Sequence, residues 1–543
     1  MKCKGVNGVA VLDIVEIGRK QAYIFASNRL KEIEGASMII RHVSERLPKE
    51  LSLPYFGKNN VIMEGGGHSI YQFNTRHEGY EFNRMLSRTV LKQFPGLQFY
   101  CVMVDFNPEA DLLSDKITEL SEALAQKKSG HAGSLRQYSY GIEKLCESTR
   151  LPATEIVTIK DEVRFVSAEI YAKLKFAQDN KLEEYFADLQ LSGLPVQMTS
   201  DTDVLEDGER SKVAVIHLDG NRMGEKIAKF RELYQIKEGE SVRDYNQRYR
   251  EAFRQFSNDI DTKYKAAFKA AMVDLYSRVQ VSDEPIALNT YNENGIPVRP
   301  IIFAGDDISF IVPGPLGVEA ARMMLEKLQQ DKLEIDGGPG SRKVSMTLHA
   351  CAGVAIVKSG YPFARAHEMA EQLCRMAKTR VLQDGFERLE EGDASALDFH
   401  ILHGDWSGSI RQQREEDYLM KDANNQAYSL TLKPYYVMSP SARQSVSGLF
   451  NQLATFQVAW ERMTDKEKIA RSKIKKLREC IKRGPAETKR FIQLNQLEDY
   501  LMGFKDTPLE QGEIFTYERC CPYYDAIEAM DDVLLFPREE REL

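Results

Sequence analysis

No two of the eight cysteines stand at C-x-x-C spacing, which removes the usual signature of a zinc knuckle or a dithiol redox centre. Cys520 and Cys521 are neighbours and cannot easily share one metal tetrahedron. Scattered thiols of this kind are expected to be reduced, in a cytoplasmic protein. Surplus positive charge is also missing. The formal net charge is −8, so bulk electrostatics do not coat a long phosphate backbone, and any nucleic-acid contact must be local. No apolar run is long enough to cross a bilayer, which argues against a membrane partner. The N-terminal run VAVLDIV contains Asp13 and is followed at once by charge, unlike a secretion signal. What is present is a globular composition, 43% hydrophobic and 28% charged, with length for roughly three or four domains.

Against that background one stretch stands out, IIFAGDDISFIV over residues 301–312. Two runs of β-branched and aromatic residues flank Gly305, Asp306 and Asp307, which predicts a tight hairpin with adjacent carboxylates at its tip. Like charges that close raise each other's pKa unless a cation sits between them, so the pair asks for a divalent metal. By itself Gly-Asp-Asp also fits an ordinary exposed turn. A third carboxylate is supplied by VAVIHLDGNRMGEKI, where an apolar strand ends at Asp219 and Gly220 and Asn221 turn into a helix. If the two strands are neighbours, three carboxylates converge on one point, a hard oxygen set suited to Mg²⁺ or Mn²⁺. Backbone N–H groups near Asn221 and Gly224, at the helix start, are expected to hold phosphate oxygens.

The rest of the chain reads as a duplication. The first segment is a strand closed by Gly18, then helical spacing around a break at Gly35. A hairpin follows with Gly65, Gly66 and Gly67 at its turn, then a helix from about Tyr80 to Phe94 and the strand LQFYCVMVDF. This is a ferredoxin-like order. The glycine hairpin lets a phosphate or base approach the backbone, but it lacks the acids of the later hairpin, which predicts a degenerate palm without metal. Residues 108–210 read as mostly helical, with one strand at TEIVTIK and a polar linker at LPVQMTSDTDVLEDGERSK. In the second half the strand ending at Asp219 is followed by a short helix near Met223, a long helix from about Val242 to Val279 and the acidic hairpin. A helix at GVEAARMMLEKLQQ, the strand VSMTLHACAGVAIV, a helix from Pro362 and the strand LDFHIL complete it. The predicted domains are 1–107, 108–210, 211–438 and 439–543. In the last of them Ala470, Ile474, Leu477 and Ile481 share one helix face, with lysines and arginines on the others. Such a helix docks by its apolar stripe or offers a contact for RNA or a partner subunit.

The motifs AYIFASNRLKEIEGAS and MEGGGHSI in the first palm, with LDGNRMG, FAGDDISF, AGVAIVKSGYPFARAHEMAEQLCRMAK and LTLKPYY in or after the second, resemble the large polymerase-like subunit of type III CRISPR effector complexes. The resemblance covers most of the chain. It implies an α+β fold of two ferredoxin-like palm (polymerase/cyclase) domains with a helical linker and a helical C-terminal domain. It further implies synthesis of cyclic oligoadenylates from ATP at Mg²⁺ or Mn²⁺ held by Asp219, Asp306 and Asp307. Lys378 matches a lysine that faces the triphosphate, with Arg222 as a second cation. Gly220, Asn221, Gly224 and Gly305 fall at the same nucleotide site, with Gly65, Gly66 and Gly67 on the acceptor side. The implied partners are other effector subunits and guide or target RNA. Three departures stand against this. Ala304 replaces a glycine of the usual Gly-Gly-Asp-Asp, no His-Asp dipeptide of the family's nuclease occurs, and the four inter-palm zinc cysteines are missing. Cys351 also stands where a serine is common. A variant without the nuclease is therefore expected, with an inactive palm scaffold that binds RNA and sister subunits as the alternative. A replicative polymerase or a diguanylate-type cyclase fits less well, without a recognisable thumb or a Glu-Phe after the hairpin acids.

Overall fold

A computed structural model of the chain describes residues 9–56, 60–65, 67–130, 139–159, 161–189, 196–198, 212–281, 296–336, 343–386, 393–404, 408–422, 424–438, 451–501, 514–516 and 518–536. Gly66 lies outside these residues.

Strand β1, Ala10–Gly18, is almost wholly buried on both faces, Asp13 included, the pattern of a central strand. Helices α1 (Lys20–Ile24), α2 (Leu30–Arg41) and α3 (Leu47–Phe56) follow, the last two joined by a π-helical turn at His42–Arg46. The hairpin of β2 (Val61–Gly65) and β3 (His68–Phe73), helix α4 (Arg76–Gln93) and β4 (Gln98–Phe106) complete the first palm. Its sheet order is β2-β3-β1-β4, antiparallel throughout. Helix α4 begins at Arg76, ahead of the expected Tyr80, because Thr75 accepts from the Glu78 N–H at 3.2 Å while Glu78 reaches back to the Asn74 N–H at 2.9 Å.

Gly35 does not break α2. The helix runs through it and crosses α6 (Ala168–Asp179) there, and a Cβ on Gly35 would lie 1.9 Å from the Lys173 carbonyl oxygen. Between the palms stand α5 (Leu113–Gly130) and a hairpin of β5 (Glu155–Ile159) and β6 (Glu162–Val166), followed by α6 and α7 (Leu182–Tyr185). The second hairpin strand, the five residues EVRFV, is absent from the sequence expectation because its burial of Arg164 and Val166 beside exposed Glu162 and Val163 leaves no apolar alternation.

The second palm repeats the first. Strand β7 (Val196–Met198) lies within the expected linker, yet it pairs in parallel with the next hairpin's outer strand. Then come β8 (Lys212–Gly220), α8 (Met223–Leu233), α9 (Val242–Val281), β9 (Ile296–Ala304), β10 (Asp307–Pro313) and α10 (Gly317–Gln330). The predicted strand at 344–357 is two strands. One half, β12 (Lys343–Thr347), pairs with β11 (Lys332–Asp336), and the other, β13 (Ala350–Lys358), enters the main sheet. Helix α11 (Phe363–Asp384), β14 (Ser395–Ile401), α12 (Ile410–Asp417) and a ribbon of β15 (Leu419–Lys421) with β16 (Ala427–Ser429) follow. With β17 (Tyr435–Val437), the sheet order is β17-β14-β13-β8-β10-β9-β7, so β9-β10-β8-β13 reproduces β2-β3-β1-β4. The turn after the first strand is also duplicated, with Arg19 at φ 48 and Arg222 at φ 50, both left-handed and both capping a helix. The sheet is covered by α9, which brings Phe268 edge-on to Phe303 at 4.9 Å and to Phe310 at 5.1 Å.

The palms share one core, in which Tyr23 and Ile24 cluster with Ile301, Ile302, Phe363 and Met369. Arg299 crosses the junction and donates to the Leu30 carbonyl at 3.1 Å and to Glu34 at 3.0 Å, buried on both sides. The C-terminal part is helical, with α13 (Leu453–Thr464), α14 (Arg471–Arg483), α15 (Pro485–Leu494), α16 (Glu498–Leu501) and α17 (Tyr524–Ala529) after short β-ribbons. Helix α14 docks by Ile474, Leu477, Cys480 and Ile481. Ala470 is its exposed N-cap and lies outside the stripe.

The α2–α6 crossing sets a test. Gly35→Ala gains about 1 kcal/mol of helix propensity but drives a methyl into backbone, an overlap that costs about 1–3 kcal/mol. The expected outcome is a lower midpoint of the first urea transition; a raised midpoint contradicts the close crossing.

Candidate active site

The site starts from a two-residue loop. Ala304 pairs with Asp307, so Gly305 and Asp306 form the whole turn between β9 and β10. Gly305 has φ +68, the conformation that selects glycine at the first position of such a turn. On its other edge β10 lies against β8 with Asp307 opposite Asp219. The Gly220 N–H donates to the Asp306 carbonyl at 3.2 Å. A Cβ on Gly220 would fall 2.9 Å from Asp306 Oδ2 and 2.5 Å from the Tyr264 hydroxyl of α9. Glycine there is what lets Asp306 fold against the end of β8.

Crowding shows in the titration of these acids. Burial, with the charges of Asp219 and Asp307, pushes the Asp306 carboxyl up to about 6. Burial also raises Asp307, against the opposing pull of His217 and Lys20. Asp307 Oδ1 is buried with no hydrogen-bond partner.

Lys378 answers part of this charge. Its Nζ donates to Asp219 Oδ2 at 2.5 Å and to the Gly220 carbonyl at 2.8 Å. The helix that carries it rests directly on β13, since a Cβ on Gly353 would lie 1.9 Å from the Ala370 carbonyl oxygen and 2.5 Å from the Cys374 nitrogen. One turn beyond Cys374, Lys378 arrives over Asp219. With Lys378 on Asp219, the three carboxylates are neighbours but do not converge on one point. Among the described residues no three His, Cys, Asp or Glu side chains are gathered as a ready cation cage. The residues nevertheless fit a hard divalent ion, because they supply carboxylate oxygens, an unpartnered buried Oδ1 and mutual repulsion that a cation relieves.

The other expected residues divide. Asn221 is buried and structural, its N–H donating to the His349 carbonyl at 2.8 Å and its Nδ2 to the Ala394 carbonyl at 2.8 Å. That N–H is therefore not available to a phosphate, contrary to the sequence expectation. Arg222 lies 3.6 Å from Glu225. Gly224 faces open space in the first turn of α8. Gly65 ends β2, and Gly67 has φ +80. Cys351 sits opposite Asp219 on β13, and burial pushes its thiol up to about 12, so it stays protonated.

Lys20 escaped the sequence reading, because a lysine opening a five-residue helix carries no pattern. A Cβ on Gly67 would fall 1.7 Å from its Nζ. Burial lowers the Lys20 pKa while Asp307, Glu16 and Asp306 pull it back up. The first palm thus extends a cation toward the acids of the second. Lys20, Gly67, Ser37, Phe303 and Ala304 line a narrow crevice between the palms.

No family model matches the chain, and no curated protein matches it. Solved structures do. A Csm1–Csm4 cassette in complex with cA4 aligns at a TM-score of 0.52 with 13% identity, covering 96% of this chain and 69% of that one. The cassette with one ATP aligns at 0.51 with 13% identity, covering 98% and 72%. The cassette with AMPPNP gives 0.51 with 12% identity, covering 96% and 69%. Likeness at this identity shows a shared fold, two palms with helical additions. No helix among the described residues is long and apolar enough to cross a membrane.

The raised Asp306 predicts a pH signature in chelator-treated protein. Its folded pKa lies above the unfolded value, so its contribution is fully present below about pH 4 and is lost as pH rises through about 6. Asp306→Asn is expected to match the parent's thermal midpoint near the acid end and exceed it above pH 6; a pH-independent difference contradicts the raised pKa.

Proposed function

We propose that the second palm is a metal-dependent nucleotidyltransferase that joins ATP into cyclic oligoadenylates with release of pyrophosphate, as a second messenger of CRISPR-type antiviral defence in the cytoplasm. One observation carries this reading: Asp219 and Asp307 face each other across one ladder with Asp306 at its tip and Lys378 within reach. Structures sharing the fold hold cA4 and ATP, which supports adenine nucleotides as the substrate class.

Asp219, Asp306 and Asp307 are the residues to hold Mg²⁺ or Mn²⁺. Such an ion, when bound, lowers the pKa of an attacking ribose hydroxyl and neutralises the departing pyrophosphate. The chain's own part is positioning and charge, which dominate phosphoryl-type transfer. Lys378, released from Asp219, faces the triphosphate. The open first turn of α8 at Gly224 takes a phosphate oxygen. Gly65, Gly67 and Lys20 line the acceptor side in the first palm. Other effector subunits and guide or target RNA are the partners, with the basic faces of α14 as the local nucleic-acid contact.

A second reading, an inactive scaffold, is favoured by one observation, the Lys378 ion pair that already satisfies Asp219. The two separate by experiment. The purified chain is incubated with each nucleoside triphosphate and Mg²⁺ or Mn²⁺, and the products are read by mass spectrometry. Oligoadenylates are expected from the parent, with a loss of about 10³-fold in Asp306→Ala/Asp307→Ala, the scale of removing preorganised charge from a reacting site. Equal product from the double variant overturns the assignment. No product from the parent, even with RNA and partner subunits added, selects the scaffold.

A further inference from the structure

Directly beneath the acid pair lies a buried polar chain that the metal and nucleotide reading does not use. Side chains two apart in a strand share a face, so His217 lies under Asp219 on β8 and Ser309 under Asp307 on β10, and the two are paired across the ladder. His217 Nδ1 stands 3.0 Å from Ser309 Oγ, and Ser309 Oγ stands 3.0 Å from His367 Nε2 on α11. All three side chains are buried.

Both ends of the chain touch something informative. At one end His217 Nδ1 lies 3.7 Å from Asp307 Oδ1, the unpartnered oxygen. At the other, the His367 ring lies against Phe25, centroids 4.3 Å apart at 31°. Phe25 belongs to the first palm, where it closes α1.

Serine has one O–H to give, so at most one of the two histidine nitrogens accepts from it. With Asp307 ionised, its carboxylate favours a proton on the near nitrogen of His217, which donates to Ser309 Oγ. The serine proton then points at His367 Nε2, and His367 carries its own proton on Nδ1. A core of apolar residues would be cheaper than three buried polar groups. When fully satisfied, such a network holds one arrangement rigidly.

We propose that Phe25, His367, Ser309 and His217 form a positioning network that makes cation binding at Asp307 depend on the first palm being seated. The proposal rests on the reading of Asp307 as a cation ligand. Partners behind a ligand typically tune affinity by about 10–100-fold, which is the size of effect expected here.

Mn²⁺ titrated into the full chain and followed by electron paramagnetic resonance tests it, with the thermal midpoint as the control for folding. His367→Leu and Phe25→Ala are expected to weaken Mn²⁺ binding by about tenfold or more. His367→Gln, whose amide oxygen still accepts from Ser309, is expected to retain most of the affinity. Ring ¹⁵N shifts of labelled histidine are expected to show the Nδ1–H form for both residues, and Phe25→Ala to mix the forms of His367. Should His367→Leu fail to fold, Phe25→Ala and the ring forms carry the test. Parent-like Mn²⁺ affinity in Phe25→Ala, or a His367 protonated on Nε2, overturns this proposal alone. A parent chain that binds no Mn²⁺ overturns the cation reading of Asp307, and this proposal with it.

Discussion

Three carboxylates at the end of one two-strand ladder are tolerable only if positive charge is brought to them. Two like charges about 4 Å apart repel by roughly 4 kcal/mol at an effective dielectric near 20, a large share of any domain's stability. Here compensation comes from both halves of the molecule. Lys378 takes Asp219 from the second palm's own helix, and Lys20 leans in from the first palm with Glu16 and Lys128 behind it. Charge therefore alternates across the junction. The acidic hairpin is electrostatically reasonable only in a chain whose palms are docked.

That dependence gives the duplication a purpose. The first palm's four-strand sheet and the four corresponding strands of the second palm's seven-strand sheet have the same order and the same left-handed arginine after the first strand, but their chemistry differs. Gly18 ends β1 as Gly220 ends β8, and the residue before it is Ile17 in one palm and Asp219 in the other. Where the second palm has its Gly305-Asp306-Asp307 hairpin, the first has a glycine hairpin on which Lys20 lies. One half bears the reactive groups while the other braces and neutralises them.

The sequence announced what local pattern encodes. Alternating apolar strands around Gly305-Asp306-Asp307, the 40-residue α9 and the repeated order of elements were all legible, because burial on a face leaves a period. Choices made by distant parts of the chain were hidden. Gly35 reads as a break but serves as a crossing point, since only the arrival of α6 reveals the need for space. Asn221 reads as a phosphate donor but is spent on His349 and Ala394. Lys20 had no pattern at all. His217 and Ser309 left a faint trace, one polar residue two positions from each acid in strands otherwise apolar, and that trace was eclipsed by the acids themselves.

The parallel pairing of β7 with β9 bears on where this chain divides. Val196–Met198 precede the first strand of the second palm, yet they cap the outer edge of its sheet. An open edge of that kind is a template for joining another copy. A gene fragment cut just ahead of β8 would discard the cap and leave the hairpin's backbone unpaired, inviting self-association. One cut ahead of Val196 would retain it. The natural seam for modular engineering therefore lies upstream of the polar stretch that looks, in the sequence, like the joint.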